Sequence, residues 1–155
     1  MGEAALEIDC NRERLDRPMI HRYLSQDSYW AAGIPRHLVD RSIDHSLCFG
    51  AYLAAQQVGF ARVITDGATF GYLADVFVLP EFRRRGISRR LMQAVMAHPD
   101  TQGLRRLMLA TRDAHDLYTS FGFQPVLDAK PLMQVHRPDI YRNGQPAPLS
   151  QAQGP

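Results

Sequence analysis

The chain has 155 residues, a hydrophobic content of 45%, a charged content of 22% and a net charge of +2, which suits one globular domain with a real core. That charge is too mild to indicate nucleic acid by itself, no apolar run approaches the length of a membrane span, and the acidic opening MGEAALEIDC does not read as a secretory signal. Two cysteines, Cys10 and Cys48, form no spaced cluster, so neither a disulfide framework nor a zinc site is expected, and a reducing cytoplasm is the default setting.

In chain order, residues 5–9 read as a first strand. Residues 18–26 read as a helix, with Met19, Ile20, Tyr23 and Leu24 at helical spacing and Asp16 as its cap. The aromatic pair Tyr29-Trp30 precedes the turn Gly33-Ile34-Pro35. A second helix is predicted over 35–46, because Pro35 is tolerated in a first turn and Leu38, Val39, Ile43 and Leu47 form one apolar face. Three strands follow over 46–54, 57–65 and 69–79, the last two separated by the turn signal Asp66-Gly67. In the second, Val58, Phe60, Arg62 and Ile64 alternate with Gly59, Ala61 and Val63. In the third, alternation puts Leu73, Asp75 and Phe77 on one face and Tyr72, Ala74, Val76 and Val78 on the other, a register that a bulge would shift.

Pro80 stops that strand, and Glu81 to Gly86 form an arginine-rich turn. An amphipathic helix follows, with Ile87, Leu91 and Val95 at i, i+4 and i+8, closed by Pro99. A strand near 104–110, a short helix after Asp113, and strands around 123–126 and 132–137 complete the pattern of a mixed sheet flanked by helices. The domain is expected to span 1–137. The tail 138–155, rich in Pro, Gly, Gln and Ala, has no periodicity and is expected to be mobile.

The turn before the amphipathic helix carries the strongest chemical signal. The first amides of a helix lack internal partners and sit at the positive end of its dipole, so an anion such as a pyrophosphate suits that place. Gly86 lets the backbone approach closely. Five of the 18 basic residues fall between Arg83 and Arg90, and guanidinium groups add fork-shaped donors. The simpler alternative for a basic turn with one Gly is an ordinary solvated loop.

The order of strand, Pro-Glu-aromatic-Arg, Arg-x-x-Gly-x-small and amphipathic helix resembles motif A of the GNAT superfamily, the acetyl-CoA-dependent N-acyltransferases. It falls on Arg83, Arg84, Arg85, Gly86, Ile87 and Ser88, with Ser88 where the family has Gly or Ala. A second block resembles motif B: Ala114, Leu117, Tyr118, Gly122 and Phe123 match, and Thr111 stands where an Asn is usual. The resemblance covers roughly 58–135. It implies a GNAT-like α/β (α+β) fold, a mixed central β-sheet flanked by helices in the order β-α-α-β-β-β-α-β-α-β-β.

The resemblance also implies an N-acetyltransferase that moves the acetyl group of acetyl-CoA directly to a primary amine of a small molecule, with no nucleic-acid or membrane partner. Main-chain groups of Phe77 and Val78 would polarise the thioester carbonyl. The turn amides from Arg84 to Ser88 would hold the pyrophosphate, with Thr111 and Ala114 also on the cofactor side. Tyr118 would be the general acid, its alternative being a core Tyr with a satisfied hydroxyl.

The base has several candidates. Asp75 is a carboxylate inside an otherwise apolar strand, which implies either a functional group or a structural hydrogen bond to backbone or arginine. His115, His21 and His45 fit surface or structural roles as well, and water serves as the base in many GNAT enzymes. Tyr29, Trp30 and Tyr72 suit an aromatic wall for the acceptor, although Trp30 equally suits helix packing. Cys48 reads as core rather than nucleophile. An acyl-CoA sensor without turnover, an enzyme acting on a protein amine, and a nucleic-acid binder using Arg83 to Arg90 are the competing readings. Homodimerisation through sheet or helix surfaces is compatible with all of them.

Overall fold

The structure, a computed structural model, describes residues 4–142. They fall into two compact units, one made of the chain through Asp16 with Asp40–Gln124, the other of Arg17–Val39 with the chain from Pro125 onward.

The first unit holds a five-stranded mixed sheet in the order β1-β2-β3-β4-β5. The strands are β1 (Leu6–Asp9), β2 (Leu47–Leu53), β3 (Gln56–Thr65), β4 (Phe70–Val78) and β5 (Arg106–Met108). The first four pair antiparallel and β5 runs parallel to β4. Strands β2 and β3 are joined by Ala54 and Ala55, both left-handed at φ 48° and 67°, the backbone of a tight hairpin turn without the Asn-Gly that normally announces one. The next hairpin has the expected signal. The Asp66 carboxylate accepts from the amides of Ala68 and Thr69 and from the Thr69 hydroxyl, which holds its carboxyl well below the usual carboxylate range, the hydroxyl contact foremost.

Helix α3 (Ile87–Ala97) lies against the sheet with Ile87, Leu91, Met92 and Val95 buried, as its spacing predicts. These residues share a core with Phe49, Ala61, Val63, Leu73 and Val78. Gly59 permits the close approach: a Cβ there would lie 3.1 Å from the Phe77 carbonyl oxygen and 3.3 Å from the Leu91 side chain. Helix α4 (His115–Thr119) closes this unit, and its Tyr118 is buried at the edge of the same core.

Two irregularities correct the strict alternation. In β3, Ala51 pairs with Gly59 but Tyr52 pairs with Gln57, so Val58 is an extra residue and joins the α3-facing core instead of following Phe60. In β4, Phe77 pairs with Phe60 while Ala74 pairs with Arg62. Asp75 and Val76 therefore oppose Ala61 alone, and Leu73 shares the α3 face with Val78 rather than with Phe77. Phe77 instead meets Phe60 across the other face, ring centroids 5.9 Å apart.

In the second unit, α1 (Arg17–Arg22) widens into a π-type turn over Tyr23–Asp27. Ser28 secures its end, donating to the Leu24 carbonyl at 2.7 Å and accepting from the Ala31 amide at 3.1 Å. The helix α2 (Arg36–Asp44) contributes residues to both units.

The two last strands do not form: residues 123–126 and 132–137 contain no strand. Pro125 removes an amide within the first, and Pro131 and Pro138 flank the second; Met133, and Leu127 just after the first, are each 95% exposed, so alternation of apolar residues gathers no buried face. The α+β class holds, with five strands among the described residues. Of the expected mobile tail, residues 138–142 form turns, and 143–155 lie outside the described residues.

Candidate active site

The site is built where β4 ends and α3 begins. The ladder between β4 and β5 closes at Tyr72–Met108. From Leu73 onward, β4 has no β5 residue paired with it, because β5 ends at Met108. Asp75 lies in that stretch with φ 55°, a left-handed conformation that costs an ordinary residue about 1–2 kcal/mol and that Asp tolerates better than most. Its carboxylate is held: Arg62 Nε donates to Oδ2 at 2.9 Å, with the two side chains only 13% and 9% exposed. Arg62 is itself anchored, Nη1 donating to Ser46 Oγ at 3.0 Å, and Arg12 Nη2 donates to the Ser46 carbonyl at 2.8 Å. Of the two alternatives for Asp75, the geometry supplies the arginine partner.

Past Pro80, the short turn Pro80–Phe82 leads into the basic loop. Arg84 is left-handed at φ 65° and Gly86 at φ 77°. These two reversals bracket Arg85 and bring the chain sharply into α3, leaving the first α3 amides open at the N-terminus. A Cβ built on Gly86 meets no atom within 4 Å, so the backbone there faces open space. The arginines are not equivalent. Arg83 turns back, its Nε donating to the Val78 carbonyl at 3.0 Å. Arg85 lies over the Phe82 ring at 5.4 Å, and Arg89 over the Phe121 ring at 5.6 Å.

A cleft of about 390 Å³ opens over this loop, with Val78, Arg84, Gly86, Ser88, Arg89 and Leu117 in its wall. It brings the two sequence blocks together: the β4 end and the α3 start from the first, Leu117 of α4 from the second. Arg83 and Ile87 also line it, Ile87 mainly as core. Phe77, Thr111, Ala114 and Tyr118 do not line this cleft. Thr111 Oγ1 accepts from the Ala114 amide at 3.0 Å, so this pair shapes the approach to α4. Tyr118 packs edge-on to Phe123 with centroids 5.9 Å apart. Phe82, Arg89 and Leu117 are wall residues that were not singled out as site residues. Arg89 could have been, since it stands three residues after Gly86 on the first turn of α3.

Of the aromatic candidates, Tyr72 is half-buried in β4, paired with Ile64 and Met108. In the second unit, Tyr29 and Trp30 are 46% and 40% exposed and stack edge to face with centroids 5.1 Å apart. His21 is engaged by the Ile34 carbonyl at 3.0 Å. Cys48 is buried in β2, its Sγ 3.6 Å from the Ile43 carbonyl oxygen. Among the described residues, no group of three or more His, Cys, Asp or Glu could hold a metal ion, and no helix is long and apolar enough to cross a membrane.

Residues 44–125 match the acetyltransferase (GNAT) domain family. A Gibberella zeae protein named as a candidate acetyltransferase is 36% identical, the match covering 74% of this chain and 71% of that protein. A crystal structure from Xanthomonas campestris pv. campestris, of a candidate acetyltransferase of the GNAT family, superposes with a TM-score of 0.87 at 56% identity, over 90% of this chain and 99% of that one. An aminoglycoside N-acetyltransferase solved in complex with CoA shares the fold, with a TM-score of 0.59 at 22% identity over 80% of this chain and 90% of that one.

Proposed function

The chain belongs to the GNAT acetyltransferase family and is an acyltransferase, and on that premise we propose that it moves an acetyl group from acetyl-CoA directly to a primary amine of a small molecule. The observation that carries the cofactor half is the cradle itself. Left-handed Gly86 aims open α3 amides into an arginine-walled cleft beside the end of β4. That donor set fits a pyrophosphate in chemistry: main-chain N–H groups, a helix N-terminus and the cations Arg84 and Arg89.

Bound acetyl-CoA would supply an acetyl group activated as a thioester. Amides from Arg84 to Ser88 hold the diphosphate in this reading. Main-chain groups at Phe77 and Val78, past the last β4–β5 pair, polarise the carbonyl in this reading. The Tyr118 hydroxyl gives a proton to the departing sulfur, and water takes the proton that the amine loses. No covalent bond to the enzyme is required. Tyr72, and separately the exposed Tyr29–Trp30 pair, are the aromatic surfaces assigned to the acceptor. The reading places the protein in a reducing cytoplasm, which suits two cysteines, Cys10 and Cys48, that are not joined in a disulfide.

Thermal unfolding with acetyl-CoA, CoA and ATP in parallel tests the cofactor. Ligand at about 100 times its dissociation constant adds about 2.7 kcal/mol to the folded state. Stabilisation by both CoA species but not by ATP is expected, followed by thiol release in a screen of small amines. No stabilisation at saturating acetyl-CoA overturns the reading. Thiol release with a peptide amine alone would move the acceptor class to proteins.

A further inference from the structure

The ion pair between β3 and β4 has no place in the chemistry above, yet it sits at the one residue where β4 departs from a regular strand. Asp75 is left-handed, it begins the two-residue bulge opposite Ala61, and its carboxylate is gripped by Arg62 at 2.9 Å. Arg62 is in turn fixed by buried Ser46 at 3.0 Å. The bulge reverses the facing of every β4 residue after it, placing Phe77 against Phe60 and Val78 in the α3-facing core. Those two residues carry the main chain assigned to the thioester. A strand without the bulge would present the opposite edge of that main chain to the β5 side of the sheet, since successive residues alternate.

We infer that Arg62 and Asp75 form a latch that fixes the β4 bulge, so that Asp75 is a positioning residue for the acetyl group rather than the base that takes the proton of the amine. The inference rests on the acetyl-CoA reading for its catalytic half. Its conformational half stands on this ion pair alone. An Asp can take a left-handed backbone, and Asn can do so too while still accepting from a guanidinium. Ala can do neither. A base cannot be replaced by Asn, but a latch can, and that contrast separates the two roles.

The test compares D75N, D75A and R62M with the wild type. The double variant R62M/D75N is added because a lone buried charge can unfold a protein where a neutral pair does not. Amide hydrogen exchange over 74–78, without ligand, reads the bulge. Affinity for CoA reads the cradle. The carbonyl stretch of bound carbon-13-labelled acetyl-CoA reads polarisation, and kcat with an amine from the screen reads turnover. The latch predicts that D75N stays within about threefold of wild-type kcat and keeps the shifted carbonyl stretch. It predicts faster exchange in D75A, R62M and R62M/D75N, a carbonyl stretch nearer that of free acetyl-CoA, and kcat lower by at least about tenfold at unchanged CoA affinity. D75N as slow as D75A but with a wild-type carbonyl stretch would make Asp75 the base and overturn the inference. So would wild-type exchange and kcat in R62M/D75N. Failure of the wild type to bind CoA would sink the cofactor reading instead, and the exchange data would still decide whether the latch exists.

Discussion

Arg83 Nε donates to the carbonyl of Val78 at 3.0 Å, so the first arginine of the anion loop is tied to the last residue of β4. The loop and the strand edge are thereby one mechanical piece, and the cradle keeps its place relative to the main chain assigned to the carbonyl. Replacing Arg83 with Met should remove a charge-assisted hydrogen bond of about 1.5–3 kcal/mol. CoA affinity should fall about tenfold or more, with faster amide exchange over 83–86. Titration calorimetry checks the first, and unchanged affinity would show that the tie does not shape the cradle.

At Gly86, space and conformation can be separated. A side chain there meets no protein atom within 4 Å, but φ is 77°. Gly86→Ala should lose about 1–2 kcal/mol of stability from the left-handed backbone. Gly86→Asn should lose less, since Asn tolerates that region. Both should weaken CoA binding by at least about tenfold if the open space is where the diphosphate enters. An Asn variant that binds CoA as tightly as wild type would move the anion elsewhere.

Tyr118→Phe keeps the ring against Phe123, whose centroid is 5.9 Å away, and removes the hydroxyl. We expect a melting temperature close to wild type, unchanged CoA affinity, and kcat lower by about 100-fold, the usual scale for loss of a general acid. Steady-state rates with an acceptor amine decide it. A fall in affinity rather than kcat would make Tyr118 a structural residue.

Tyr52 is 2% exposed and its hydroxyl has no hydrogen-bond partner among the described residues. Its ring lies under the Arg14 guanidinium at 4.0 Å. Burial pushes the phenol up to about 12, above the value near 10 of an unfolded chain. The unfolded state therefore ionises first, and stability is lost as pH rises from about 10 toward 12. Tyr52→Phe should be neutral or stabilising by up to about 1 kcal/mol at pH 7. It should also remove part of the alkaline loss, as urea unfolding at pH 7, 10 and 11 would reveal. A large destabilisation at pH 7 would mean the hydroxyl is satisfied.

The Ala54-Ala55 turn carries two left-handed residues without a side chain suited to them. Substituting Asn-Gly should stabilise the protein by about 1 kcal/mol or more, because the hairpin geometry is kept and the strain removed. A lower urea midpoint for the substituted protein would contradict the turn as described.

The sequence by itself determined the block from the end of β4 through α3. There the period changes from two to 3.6, Pro80 ends one pattern, Gly86 opens the next, and five arginines crowd the junction. All of these are local properties, so the strand, the loop and the helix face are legible without knowing any partner. The same holds for the core positions Ile87, Leu91 and Val95.

What the tertiary structure decided is everything that depends on which strand lies opposite. The bulge at Asp75 leaves no periodic trace, and a left-handed Asp is written like any other Asp. Arg62 becomes its partner only through the β3–β4 register, 13 residues away in the chain. The extra residue at Val58 is likewise visible only against β2. The apolar alternation at 123–126 and 132–137 promised two strands, but an extended segment is a strand only when another backbone pairs with it, and prolines interrupt that run. Local propensity writes the elements; pairing energy, which links residues far apart in the chain, selects the register and decides which side chains meet.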